Sequence, residues 1–134
     1  MADLTLTAAN VLRTAADTTT GIAGETITAG QAVYLKSSDS RYWKAQCDGT
    51  AAEADVKGIA LHAALAGQPL TIATAGTMNI GGTTAKVAYY LSATAGGVAP
   101  VADLVSGNYI VHLGYATATD GSFVVRITNT GATV

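Results

Sequence analysis

Two related phrases constrain this chain most: AGQAVYL at residues 29–35 and AKVAYYL at residues 85–91. In each, a small or turn-forming residue leads into alternating residues that end in Tyr-Leu, the pattern of a half-buried strand entering a sheet. An offset of 56 residues lays Tyr34-Leu35 on Tyr90-Leu91, and Gly58-Ile59-Ala60 on Gly114-Tyr115-Ala116. These anchors, more than the residues between them, suggest two similar β modules, at about residues 29–80 and 85–130, closing on one core.

The rest of the chain keeps the same short rhythm. Residues 1–24 read as an extended N-terminal arm with one strand-like piece around Leu4, Leu6 and Val11, able to pair with an edge of its own sheet or of a neighbour's. The run Thr18-Thr19-Thr20-Gly21 is expected to break the pattern. From Glu25 onward a single β domain follows: alternation at Thr26-Ile27-Thr28, a strand at Val33-Tyr34-Leu35, a polar tip KSSDS, and a return strand Arg41-Tyr42-Trp43-Lys44. Adjacent strand residues face opposite ways, so one of Tyr42 and Trp43 serves the core while the other turns outward.

Thr50 with Glu53 three residues on is a capping-box pattern for one helical turn. Residues 56–65 read as a strand, Pro69 as a strand start, Ala75-Gly76 as a turn with a brief return at Met78-Asn79-Ile80, and residues 101–105 as a second short helical turn. Asp120-Gly121 between two alternating runs is a hairpin signal, and the tail from Asn129 is expected to fray. About nine or ten short strands with glycine at most corners predict an all-β fold, a compact barrel or sandwich with at most one or two helical turns.

Composition narrows the functional classes. The 134 residues are 49% hydrophobic and only 12% charged, with a net charge of −2, against roughly 25% charged in an average soluble domain. With no block of Lys or Arg, the counterion release that drives nucleic-acid affinity is missing, so no nucleic acid is expected as a partner. Apolar runs fall far short of the roughly 20 residues of a membrane span, so no membrane is expected either. The opening MADLTLTAAN lacks a basic stretch followed by an apolar one, so no secretory signal is expected.

Residue types that carry chemistry are sparse. Cys47 is the single cysteine, without a basic neighbour in sequence to favour its thiolate, and reads as a packing residue. His62 and His112 have no second ligand at metal-binding spacing, and Asp48, Glu53 and Asp55 lack the order of a calcium loop, so no metal is expected. Gly81-Gly82-Thr83-Thr84 has no lysine directly after it and reads as a connection, not a phosphate loop. No Gly-x-Ser-x-Gly elbow occurs. Neither catalytic residues nor a cofactor are expected, and an enzyme is the disfavoured class. A carbohydrate-binding or tail-fibre module, with Trp43, Tyr42 and Tyr89 or Tyr90 as sugar platforms, is the alternative binding class.

The ordered phrases MADLTLTAANV, AGETITAGQAVYLK, KGIALHAALAGQPLTIATAG and YYLSATAGGVAPVADLVSGNYIVHLGYA resemble those of the small head decoration, or capsid cement, proteins of tailed bacteriophages. The resemblance covers almost the whole chain. It implies a structural virion protein on the outer surface of an assembled capsid, often a homotrimer, whose partner is the major capsid protein and which clamps neighbouring subunits. On that reading Leu4, Leu6, Val11 and Leu12 are the candidate arm contacts, with Tyr42 and Trp43 as weaker ones.

Overall fold

The computed structural model describes residues 12–80, 86–100, 104–117 and 122–133. They form nine strands and, among the described residues, no helix: β1 (Leu12–Ile22), β2 (Ala32–Lys36), β3 (Arg41–Lys44), β4 (Val56–Ala60), β5 (Pro69–Asn79), β6 (Ala88–Leu91), β7 (Val98–Pro100), β8 (Tyr109–Ala116) and β9 (Ser122–Thr133). All pair antiparallel in one sheet of order β3-β2-β4-β5-β9-β8-β6-β7, with β1 added on β5. The sheet curls into a half-barrel, in keeping with the compact all-β class expected.

The order is a palindrome, and the two modules superpose in register. In the first, Val33 pairs with Gly58 and Tyr34 with Val56 across a bulge; in the second, Tyr89 pairs with Gly114 and Tyr90 with His112 across the same bulge. The hairpins agree as well, Tyr34 opposite Trp43 and Tyr90 opposite Ala99. So do the entry bonds. Gly30 N–H donates to Ala60 O at 2.8 Å and Lys86 N–H to Ala116 O at 2.9 Å, while Ala60 N–H returns to Gln31 O at 2.8 Å and Ala116 N–H to Val87 O at 3.0 Å. Every one of these equivalences keeps the 56-residue offset seen at Tyr34 and Tyr90.

The bulge explains the repeated glycine. A Cβ on Gly58 would lie 2.6 Å from Ala73 O, and one on Gly114 would collide with Val124 O and sit 2.9 Å from the Phe123 ring. Each glycine lets its strand press against the next, which a side chain would prevent.

β5 is the organising strand. Residues 69–79 pair with β1, so the opposite edge is shared: Ile72 and Ala73 pair with β4, and Ala75 to Asn79 pair with β9. The sheet therefore forks at Thr74. One branch closes on itself, because Ala23 just after β1 makes a parallel bridge to Tyr42 of β3. Gly24 N–H donates to Tyr42 O at 2.8 Å, and the Glu25 carboxylate accepts from Lys44 N–H at 3.0 Å. The ring β1-β5-β4-β2-β3 encloses Ala23, Ile27, Val33, Tyr42, Ala60, Ala64, Leu70 and Ile72.

A larger core lies on the other face of the same strands, holding Tyr34, Ile59, Ala73, Met78, Ile80, Tyr89, Leu91, Leu113, Phe123 and Val125. β2 is thus buried on both faces from Ala32 to Tyr34, not on one face as the alternation of the phrase predicts, and β4 buries all its residues but Lys57, because strands lying between two cores have no solvent face. Each fully buried Ile, Leu or Phe contributes about 1.5–3 kcal/mol on transfer from water.

Several expectations are corrected. Ala75-Gly76 is no turn: β5 runs on through it, and the irregularity is absorbed as register shifts against β1. The Thr18-Thr19-Thr20 run does not break the strand but forms part of β1, since β-branched residues suit a pleated strand whether or not one face is buried. β4 stops at Ala60, and residues 26–28 contribute only an isolated bridge from Ile27 to Ala64. The capping box at Thr50 and Glu53 forms, with Thr50 N–H to Glu53 Oε1 at 3.0 Å and Glu53 N–H to Thr50 Oγ1 at 3.3 Å, yet it closes a turn and not a helix. The tail expected to fray from Asn129 belongs to β9 as far as Thr133. Residues 81–84, 101–103 and Asp120-Gly121 lie outside the described residues.

Candidate functional site

The most elaborated surface is the tip of the β2–β3 hairpin, where the polar sequence KSSDS must reverse the chain within a few residues. Ser40 takes a positive φ of 56°, and its N–H donates to Lys36 O at 2.8 Å. Asp39 Oδ1 accepts from Arg41 N–H at 3.0 Å, the local side-chain turn that aspartate favours. Its other oxygen, Oδ2, accepts from the Trp43 indole N–H at 3.1 Å. Lys36 Nζ sits 4.4 Å above the Trp43 ring, a cation–π contact. Gly24 packs against the same indole, where a Cβ would come 2.8 Å from Cδ1. Trp43 is thereby held at its edge and over its ring.

Directly across the ladder from Trp43 stands Tyr34. Its ring belongs to the larger core and the residue is only 7% exposed. Burial first, then the negative charges of Glu53, Glu25 and Asp39, push the phenol pKa above its ordinary value of 10.0. Beside it a groove of about 460 Å3 is lined by Tyr34, Lys36, Ser37, Ser38, Thr50, Ala52 and Glu53. A second groove, about 370 Å3, lies between the 51–55 turn and the ends of β8 and β9, lined mainly by Ala51, Ala52, Ala54, Tyr109 and Val111.

The expected contact residues are dispersed. Leu4, Leu6 and Val11 lie outside the described residues. Leu12 opens β1 opposite Asn79. Of the aromatic pair, Tyr42 is the inward member, 8% exposed inside the closed ring, while Trp43 is half-buried at the hairpin tip. The other aromatics proposed as sugar platforms are engaged too. Tyr89 is buried against Phe123 at a centroid distance of 6.2 Å, and Tyr90 meets His112 edge-on at 5.3 Å.

The titratable residues hold structure together. His62 takes the Thr71 N–H on Nε2 at 3.0 Å and bonds Ala63 O through Nδ1 at 2.9 Å, clasping the β4–β5 corner. His112 bonds Arg126 O at 3.1 Å. Cys47 is fully buried, and its carbonyl accepts from Tyr109 N–H at 2.8 Å. Asp55 pairs with Lys57 at 3.1 Å on the surface, an ion pair in solvent that contributes at most about 1 kcal/mol. Among the described residues, no group of three or more His, Cys, Asp or Glu is placed to hold a metal ion.

One residue of consequence carries no advance signal: Asn129 bridges β9 to β4, a contact between positions far apart in sequence. Neither a protein-family model nor a curated protein matches this chain.

Proposed function

We propose that this is a structural virion protein, a bacteriophage capsid decoration or cement protein, that binds the outer surface of an assembled capsid as a homotrimer and bridges neighbouring major capsid subunits. It binds and transforms nothing. The ordered phrases that resemble that family suggest the reading, and the character of β1 carries it. Asp17, Thr18, Thr19 and Thr20 are four consecutive exposed residues, so this stretch of strand has no core face. Among the described residues β1 pairs with β5 alone apart from the Ala23 bridge, leaving its outer edge as an offered rail. Ile22 and Leu65, which is 58% exposed, add apolar surface at the same end of the ring, since Gly67 N–H donates to Ala23 O at 2.8 Å.

A cement protein acts by linkage: binding the assembled lattice and not the separate subunits shifts the equilibrium toward assembly. Three copies held together gain avidity through effective concentration, so each contact can be modest. Because residues 12–22 are a strand of the fold, the informative deletion is residues 1–11. The shortened protein should fold and lose co-sedimentation with capsids of the expanded form. Saturation of capsids by the shortened protein would remove the arm from the mechanism, and failure of the full chain to bind them would remove the proposal. The glycan-binding alternative loses its platforms, since Trp43 is covered by Lys36 and the three tyrosines are packed.

A further inference from the structure

The nine strands are one pattern used twice, with β5 common to both halves. The 56-residue offset of the modules lays residues 12–22 of β1 on residues 68–78, all but the first within β5. It likewise lays residues 56–60 of β4 on residues 112–116 of β8, and most of β5 on β9. The pairings repeat as well: β1 on β5 becomes β5 on β9, displaced by two residues, so every side chain keeps its face. β5 is thus the last strand of one module and the first of the next. Both of its edges are paired, whereas β1, its counterpart, is paired along one edge only among the described residues.

The other boundaries of the sheet are blunted. β7 is three residues long, all buried, and ends in Pro100, while β3 is joined to Ala23 and Gly24. On the C-terminal side β8 begins at Tyr109, ahead of the counterpart of Val56, and its extra residues pair with β9 as far as Thr133. β1 has no such device on its outer edge. From Ala15 to Thr20 it runs without an inserted residue, with neither proline nor lysine, and Asp17 to Thr20 are exposed. An array of repeated modules leaves its end face bare unless something caps it.

We infer that the outer edge of β1 receives residues 1–11 of an adjacent copy as an added antiparallel strand, each of three copies passing its arm to the next. The inference rests on the homotrimer proposed above and supplies the contact that holds it together. The segment has the length for it, since 11 residues precede β1 and β1 itself has 11, at about 3.3 Å each. Leu4-Thr5-Leu6-Thr7 alternates as a strand does, and main-chain bonds to an edge ask for no particular side chains there, which suits a rail of Thr and Ala. Return of the arm onto its own β1 needs a reversal within residues 8–11, Ala-Ala-Asn-Val, without the glycine that tight hairpin turns favour. Because donor and acceptor surfaces differ, the contact is of the head-to-tail kind that closes into a ring.

Sedimentation of the protein alone, without capsids, gives one test. The wild type should be a trimer and T5P/L6P a monomer, because prolines at two successive arm positions remove donors from the ladder on either side. The second test reads the contact directly. A maleimide nitroxide is attached to T5C in the folded protein, where Cys47 is fully buried, and the product is unfolded and refolded together with isotope-labelled wild type. Amides of Ala15 to Thr20 in the isotope-labelled copies should broaden several-fold more than those of β7. Broadening only where nitroxide and isotope share one chain, or broadening centred on another strand, overturns the inference. A trimer that survives T5P/L6P overturns it and leaves the homotrimer standing, whereas a monomeric wild type removes both. Co-sedimentation with capsids is read separately, so an arm-built trimer that ignores capsids removes the capsid reading and leaves this one.

Discussion

Asn129 on β9 serves Val56 on β4 as though it were a strand neighbour: its Oδ1 accepts from Val56 N–H at 3.2 Å and its Nδ2 donates to Val56 O at 3.2 Å. The same amide nitrogen donates to Asp55 Oδ1 at 3.0 Å. Where the sheet forks, the start of β4 has no strand on that side among the described residues, and one side-chain amide supplies both the donor and the acceptor that a peptide group would.

Replacing Asn129 with alanine should therefore cost about 1–2 kcal/mol, the range for leaving partly buried backbone groups without partners. N129D should also destabilise, because a carboxylate cannot donate to Val56 O and would face Asp55. Urea denaturation gives the comparison. Wild-type stability in N129A would mean that water replaces the amide at no cost.

The duplicated register gives a second prediction. Gly30 and Lys86 occupy equivalent corners, both with positive φ, 89° and 65°. Glycine tolerates that region freely, whereas a side chain there costs about 1 kcal/mol. K86G should raise stability by about 0.5–1 kcal/mol, the gain being trimmed by the greater freedom of glycine in the unfolded chain. G30A should lower it. A destabilised K86G would show that the Lys86 side chain does more than turn the corner.

Tyr34 sets a dependence on alkaline pH. Its phenol pKa is raised in the fold, first by burial and then by Glu53, Glu25 and Asp39. The native state keeps a proton that the unfolded chain releases near pH 10, so the contribution is fully present below that pH and is lost as pH rises toward the folded value. Wild type should lose stability relative to Y34F as pH climbs above about 10. Parallel stability curves for the two proteins would show that the phenol ionises equally in both states.

Much of the architecture was legible because it rests on local and periodic signals. The 56-residue echo of Tyr34-Leu35 in Tyr90-Leu91 proved to be a register, repeated in bulges and entry bonds. Pro69 opens a strand as expected, and Thr50 and Glu53 form their reciprocal bonds. The continuity of β5 through Ala75-Gly76 was not legible, since the same dipeptide suits a turn, and only β1 and β9 on its two edges keep the strand straight. Nor could the sequence say which of Tyr42 and Trp43 turns inward. That choice follows from the Ala23 bridge, which closes the ring around Tyr42.

By itself, then, the order of residues determined strand content, most corners and a doubled module, because hydrophobic alternation and glycine geometry act within a few residues of chain. Tertiary structure alone decided the fork at β5, the clasp of Asn129 on Val56 and the burial of Tyr34 in the larger core opposite Trp43. Each depends on which edges and faces meet across long stretches of sequence, and that is settled by the joint burial of two cores, not by any local preference.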